Sequence, residues 1–486
     1  MSKPFSHHAT RPEDRVPIIE KIGIGLGRVA ADGTAGTLHT LVNQVYNMML
    51  GVNPALLSTA VFIQRIWDAM LDPLWGQFSD NFRSRWGRRL PLMAVAALPM
   101  AFLFGAIWWF PRSMGTTGLF VYLVVASLLF YLFQSMYAMP LNGLLIEATD
   151  DYHERTRVAT VAIVFALVFM IVGQWVFPLM QLNVFADAVT GVRWVASGCA
   201  LLFLVVALMP VFLCREKHYK RVAAQQAKIS LREGLVHVRH NRPLRYVIIA
   251  RLIASFTYNV VGMFGIYMNT YYVFGGDIKR AAPFYGVLGS AYMIAGALCS
   301  VFLYPRLSRL IGKKRTFQLS AAILVLGCLA KLVVYRPGEP WLQLIVLIAN
   351  GASGAGMTVM VTAMLGDIAD YNELHTGQRN EAFLGAMITW FDKAGNSLGA
   401  LLGGFVLVWI GFNAADGAQS ALTLHWMKIS YCAMPLIGAL VALVMIQLYE
   451  LDEETVYGIK ATLDERHALE KTDDVDLAPE DEPLTV

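Results

Sequence analysis

The sequence predicts an all-α membrane protein whose twelve transmembrane helices form two six-helix halves, and three observations predict it. Of 486 residues, 56% are hydrophobic and only 15% are charged, with mean hydropathy +0.52, whereas a soluble domain carries about 25% charged residues. Apolar runs of about 20 residues, long enough to cross a ~30 Å hydrocarbon core, occur twelve times. Finally, 28 of the 39 Lys/Arg residues fall in the ends and alternate loops of one predicted face, against five (Arg112, Arg193, Lys279, Arg280, Arg336) in the loops of the other. That asymmetry makes the basic face, with both termini, cytoplasmic. The small net charge of +4 disfavours a nucleic-acid partner and leaves the lipid bilayer as the solvent of the fold.

Each run is a helix, because lipid offers the backbone no hydrogen bonds. The first, 22–49, is the least apolar: Gly23, Gly25, Gly27, Gly33 and Gly36 accompany Arg28, Asp32 and His39. Run 54–79 carries Arg65, Asp68 and Asp72, and the basic loop after it (Arg83, Arg85, Arg88, Arg89) leads to 90–111. Runs 118–146, 158–182 and 194–214 complete an N-terminal bundle, 22–214, preceded by a polar head, 1–21. A basic linker, 215–245, with nine basic and two acidic residues, separates it from a C-terminal bundle, 246–449. There the runs are 246–275, 283–305, 317–335, 341–366, 382–411 and 424–449. Arg306, Arg309, Lys313, Lys314 and Arg315 follow the eighth run as the arginines follow the second, about 223 residues on. Such a repeat places substrate near the midplane between halves. The tail, 450–486, holds thirteen acidic and three basic residues and reads as a solvated, largely disordered extension. Cys199, Cys214, Cys299, Cys328 and Cys432 are scattered singly in apolar stretches and read as packing residues.

Ionisable side chains at membrane depth are expensive, so each is a functional candidate. Arg65, Asp68 and Asp72 share one helical face. Two acids with one base can hold a monovalent cation or carry a proton; a static ion-pair network is the plainer reading. In the eleventh run, Lys393 can neutralise one of those acids and release it when a cation arrives, whereas Asp392, about 100° around the helix, reads either as a partner for a polar group on a neighbouring helix or as a substrate contact. Arg28 and Asp32, four apart, can pair with each other or grip a polar ligand, Asp32 through sugar hydroxyls and Arg28 through an anionic group. Arg251, Lys331 and Lys428 read as snorkelling. Neither a nucleophile constellation nor zinc spacing appears, so an enzyme is the weakest class, and GIGLG at 23–27 follows no strand and reads as a close helix contact.

The segment RIWDAMLDPLWGQFSDNFRSRWGRRLP (65–91), with GDIADYNELHTGQRNEA (366–382) and GAQSALTL (417–424), closely resembles the glycoside/pentoside/hexuronide:cation symporters, the melibiose permease family of the major facilitator superfamily, over about residues 20–450. The resemblance implies a cation site at Asp68 and Asp72 accompanied by Arg65, a nearby hydroxyl at Ser135, a coupling lysine at Lys393 and a sugar-binding acid at Asp32. It also implies a cytoplasmic gate of Asp80, Arg83, Arg85, Gly87, Arg88 and Arg89 opposite Asp370, Tyr371, Glu373, Arg379 and Glu381. There are departures. Leu71 stands where melibiose permease has a cation-site asparagine, which favours a proton over sodium. Ala138 and Asn142 replace a sugar-binding Asp and Trp, and Ile163 replaces an Arg, so melibiose itself is not expected. The expectation is a cofactor-free, monomeric symporter of the inner membrane importing a glycoside or related sugar derivative, with Arg28, Asp32 and Asn142 against the substrate. The only metal expected is a possible Na⁺ at Asp68 and Asp72. Alternatives are a symporter of a lysolipid or other amphiphile, its pocket opened by Ala138 and Ile163, and a non-transporting ligand sensor.

Overall fold

The computed structural model describes residues 15–149, 151–216, 241–377, 381–414 and 416–476, without the side chains at 152, 153, 381, 382 and 467–476. Most of the head, linker residues 217–240, Arg379 and the end of the tail therefore lie outside the described residues. Twelve long helices cross the predicted membrane: α1 Ile18–Val42, α2 Pro54–Asn81, α3 Leu90–Ala106, α4 Thr116–Glu147, α5 Tyr152–Gly173, α6 Ala188–Leu213, α7 Arg242–Tyr267, α8 Ile278–Leu298, α9 Lys313–Val334, α10 Gln343–Thr376, α11 Glu381–Trp409 and α12 Ala421–Gln447. A further helix, α13, spans Glu453–Asp476. No strand occurs among the described residues, only an isolated bridge between Ser84 and Gly87.

Several helices start earlier than their apolar runs, and the reason is capping. Asp151, Asp187, Asn241 and Asp277 accept hydrogen bonds from the backbone N–H groups of Glu154, Thr190, Leu244 and Arg280. Each polar cap opens the helix four to six residues before the run begins, satisfying donors that a bare first turn would leave unpaired. Hydropathy sees the lipid-facing part of a helix and misses this wet first turn.

Eight of the twelve helices are long and apolar enough on composition alone to cross a membrane. The others are α3, with seventeen residues, and α1, α2 and α11, which carry ionisable residues in mid-helix. These three cross only because their charged faces turn toward protein or the space between the halves.

Each half has its own apolar core. One is built around Phe104, Phe130, Tyr137 and Phe203, the other around Phe317, Met360, Met364 and Ile446. A third cluster, Tyr267, Tyr271, Phe412 and Tyr431, gathers Met48 from the first half at the end away from the basic loops. There α1 continues as a π-helical segment, Asn43–Met49, and α7 as another, Met268–Val273. They lie at matching places about 224 residues apart, so the repeat seen in loop charge also appears in backbone geometry. The segments meet where Tyr267 Oη donates to Asn47 Oδ1 at 2.9 Å. Beside them Trp175 Nε1 donates to Ser290 Oγ at 3.1 Å. Besides the Lys393 contact described below, these are the hydrogen bonds that join the halves among the described residues, and both lie away from the basic face. Among the described residues, the hydrogen-bonded closure between the halves lies on that side.

Three expectations need correction. Lys331 does not snorkel: it is fully buried, with Nζ 3.8 Å from the centroid of the Tyr431 ring and 3.4 Å from the Tyr431 carbonyl. Lys428 likewise turns inward, donating to Tyr272 Oη and the Tyr335 carbonyl, both at 3.2 Å. The α9–α12 seam is rich in rings, and ring faces and carbonyls take the ammonium groups in place of water. Arg251 is held by Asp392 at 2.7 Å. The tail also departs from expectation, because α13 buries Ile459 and Leu463, four residues apart, against the second core.

Tyr267→Phe removes one neutral hydrogen bond of the seal, about 1 kcal/mol or roughly fivefold in the closed-to-open ratio of that face. A single cysteine at Gln343, inside the cavity described below, is expected to react several-fold faster with an impermeant maleimide added from that side; an unchanged rate would remove the seal assignment.

Candidate functional site

At mid-membrane α2, α4 and α11 converge. On α2, Asp68 and Asp72 stand one turn apart. Ser135 of α4 donates to Asp72 Oδ1 at 2.8 Å and to Asp68 Oδ1 at 3.2 Å. From the other half, Lys393 Nζ lies 2.7 Å from Asp72 Oδ2 and 3.7 Å from Asp68 Oδ2. The four side chains named together from the sequence meet in one cluster. Asp68 and Asp72 are largely covered, with side chains 11% and 19% exposed, whereas Lys393 keeps 43%. The lysine therefore faces the open space between the halves.

Arg65 does not join the carboxylates. It makes no hydrogen bond or ion pair among the described residues, and its side chain lines a cavity of about 400 Å³ between the halves. Asp32, Thr37, His39 and Gln44 line the same cavity from α1 and its extension, Gln174 from the end of α5, and Tyr258, Asn259, Tyr285 and Tyr292 from α7 and α8. Of the expected substrate-binding residues only Asp32 reaches it. Arg28 is consumed locally: Nε pairs with Asp32 Oδ2 at 2.5 Å and Nη1 donates to Asn142 Oδ1 at 2.6 Å. Asn142 is thus a clamp on Arg28 rather than a lining residue. Ala138 and Ile163 do not line the cavity either, and Leu71 is buried beside Asp72.

At the basic face the loop after α2 is held by acids the sequence did not single out. Glu147, at the end of α4, pairs with both Arg88 and Arg89, and Arg89 Nη2 also reaches Asp80 Oδ1 at 3.1 Å. Glu216 accepts from the backbone N–H groups of Arg88, Arg89 and Leu90 at 2.9, 2.8 and 2.8 Å, capping α3. Gly87 has φ +106° and Gly143 lies directly under the Arg89 guanidinium; a methyl group at either would strike the Glu216 carboxylate or that guanidinium. Burial works against the charge of Arg89, yet the hydrogen bond and charge of Glu147, with Asp80 and Glu216, hold its pKa above the ordinary arginine value. Arg83 and Arg85 are exposed, with Arg85 over the Trp86 ring. In the second half Lys313 binds Asp367 at 2.6 Å and Lys460 of α13 lies 4.0 Å from Asp370. The Glu373 carbonyl accepts from Gly377 N, and Tyr371 packs on His375. Arg379 lies outside the described residues, and of Glu381 only the backbone, at the start of α11, is described. Glu147 and Glu216 have a legible signal after the fact: each is an acid at or just past a helix end, in the neighbourhood of basic residues, whereas Asp367 sits inside α10 among other acids and carries no such mark.

The profile of the family described as MFS/sugar transport protein matches residues 23–453. The chain belongs to that family. Among its relatives is the isoprimeverose transporter of Lactiplantibacillus pentosus, 24% identical over 97% of this chain and 98% of its own. Another is the glucuronide carrier protein homolog of Escherichia coli (strain K12), 24% identical over 93% of this chain and 96% of its own. Among solved structures, a D-xylose-proton symporter superposes with TM-score 0.64 at 15% identity, over 88% of this chain and 96% of that one. The protein is thus a multi-pass membrane carrier of the glycoside/pentoside/hexuronide:cation symporter family, a secondary sugar transporter rather than an enzyme, and its substrate is a small molecule. Among the described residues no cluster of three His, Cys, Asp or Glu is placed to hold a metal.

Glu147→Gln removes the carboxylate shared by two buried arginines, 5% and 7% exposed. Breaking a buried pair from one side costs about 3–5 kcal/mol. Asp80, 48% exposed, contributes under about 1 kcal/mol as a surface pair. Thermal melts of purified protein are expected to fall clearly for Glu147→Gln and barely for Asp80→Asn; equal effects would contradict this division.

Proposed function

We propose that the protein is a proton-coupled symporter of the inner membrane, with both termini and the basic face in the cytoplasm, that imports a glycoside or related sugar derivative by alternating access. The observation that carries this reading is the contact of Lys393 with Asp72 across the two halves, with Asp68 beside it. Asp68 and Asp72 share a single lysine in direct contact, which leaves carboxylate oxygens able to take up a cation. A proton on Asp72 Oδ2 removes the attraction that holds α11 to α2, and the preferred packing of the halves then changes. A proton suits the site better than sodium. Lys393 already occupies the Oδ2 side of both carboxylates, Leu71 supplies no oxygen, and a proton needs only one carboxylate.

The cavity supports a sugar. Its amides and hydroxyls can pair with substrate hydroxyls, while tyrosine rings cover C–H faces, and two of its relatives are named for the transport of sugar compounds. The amphiphile alternative draws no support from this lining, since neither Ala138 nor Ile163 contributes to it. The unpaired Arg65 favours a sugar bearing an anionic group, which a guanidinium grips with two hydrogen bonds. With its seal on the side away from the basic loops, this conformation is inward-facing.

In proteoliposomes, Asp72→Asn is expected to exchange labelled substrate in counterflow but not to concentrate it against its gradient; continued accumulation would overturn the coupling assignment. Wild-type protein without counterflow would instead fit a sensor. Uphill uptake that requires sodium and survives collapse of the pH gradient overturns proton coupling.

Arg65→Gln loses charge-assisted hydrogen bonds of about 1.5–3 kcal/mol. It is expected to raise KM about ten- to a hundredfold for a uronide and to change it little for a neutral glycoside.

A further inference from the structure

α11 presents two faces to two different partners. On one, Asp392, Gly395, Gly399 and Gly403 lie at helical spacing against α7. A methyl group at Gly395 would press on the Leu252 backbone, one at Gly399 would lie 3.0 Å from Asn259 Cβ, and one at Gly403 would lie 2.9 Å from Met263 Sδ. On the other, Lys393 meets Asp72 and, eleven residues or three turns later, Gly404 lies against Pro54 and Ser58 of α2. Neighbouring residues differ by about 100° around the helix, so Asp392 points into its own half while Lys393 points across to the other.

The glycine stripe sets how closely α11 approaches α7. Without side chains to interlock, it does little to fix rotation of α11 about its own axis. The polar anchor supplies that. Asp392 Oδ1 is 2.7 Å from Arg251 Nε and accepts from Ser255 Oγ, both on α7. Arg251 Nη1 is in turn held at 2.7 Å by Thr358 Oγ1 of α10, and Asn396, one turn along α11, donates to the Asp392 carbonyl at 3.0 Å. Three helices of one half thereby fix the azimuth of α11 at the residue next to the lysine.

We propose that Asp392 is a positioning residue for transport: tied to Arg251 and Ser255, it aims Lys393 at Asp72 and makes α11 travel with the second half when that contact breaks. This rests on the coupling role given to Asp72 and Lys393 above. A residue that merely compensated the charge of Arg251 would affect stability alone. One that aims the lysine governs how tightly proton and substrate movements are linked.

The experiment measures, in proteoliposomes with a radiolabelled glucuronide as the probe, counterflow and the steady-state accumulation ratio under an imposed pH gradient for wild type, Asp72→Asn, Asp392→Asn and Asp392→Glu, with melts to establish folding. For Asp392→Asn the expected result is counterflow KM within about twofold of wild type and an accumulation ratio reduced tenfold or more. Asp392→Glu, which keeps the charge, should recover most of the accumulation. A folded Asp392→Asn protein that accumulates like wild type overturns the proposal, as does equal loss of counterflow and accumulation with no rescue by Asp392→Glu. An unfolded Asp392→Asn transfers the test to Ser255→Ala, where a reduced accumulation ratio at unchanged KM supports the proposal and an unchanged ratio overturns it. If Asp72→Asn remains coupled, the coupling reading itself fails; if only Asp392→Asn does, that reading stands and this proposal falls.

Discussion

The contact between one ammonium group and a pair of carboxylates, drawn from opposite halves at mid-membrane, is the constraint on which this structure depends. Charges at this depth are costly, and the helices that bring them to the space between the halves, α1, α2 and α11, are not among those apolar enough to cross a membrane on composition alone. Their charged faces must be sheltered, and only the space between two bundles can do so while still admitting water and solute. Two bundles, a cavity between them and the polar lining of that cavity all follow from where these few side chains can be tolerated.

Around that contact the molecule divides its labour. Away from the basic loops, matched π-helical segments and small-residue contacts bring the halves together. At the basic face, arginines, lysines and acids pair within a half: Arg88 and Arg89 with Glu147, Lys313 with Asp367. Polar interactions strong enough to hold an interface are thus spent inside rigid bodies on one side and kept weak and few between bodies on the other. Surfaces that must separate in each cycle are better joined by modest contacts than by buried ion networks.

The fold was legible because lipid leaves the backbone so few choices: length, apolarity and basic-loop asymmetry name the twelve helices in order. Helix starts were misplaced wherever a cap such as Asp151 or Asn241 began the helix in polar sequence. Asp68, Asp72, Ser135 and Lys393 were legible as a group because family resemblance and the cost of burial point to the same positions. The Arg28–Asp32 pair was one of the two readings its spacing offered, but the places of Arg65 and Asn142 were not legible, because helical spacing puts a side chain on a face without saying which neighbour it meets. Lys331 was misread for a related reason. Hydropathy counts a lysine as seeking water and cannot see the tyrosine ring that replaces it. The docked helix α13 hid inside an acidic composition, since two apolar residues four apart suffice to dock a helix whose other described faces stay wet.

Glu216 gives the boundary between the bundles a practical meaning. It stands at the start of the linker in sequence, yet its carboxylate caps α3 at the basic face of the first half. A chain divided for co-expression of two fragments, or opened to insert a reporter domain, should therefore be cut after this residue rather than at the end of α6. Among the described residues, the contacts of the first half run past the last apolar residue of α6 to this hydrogen-bond cap.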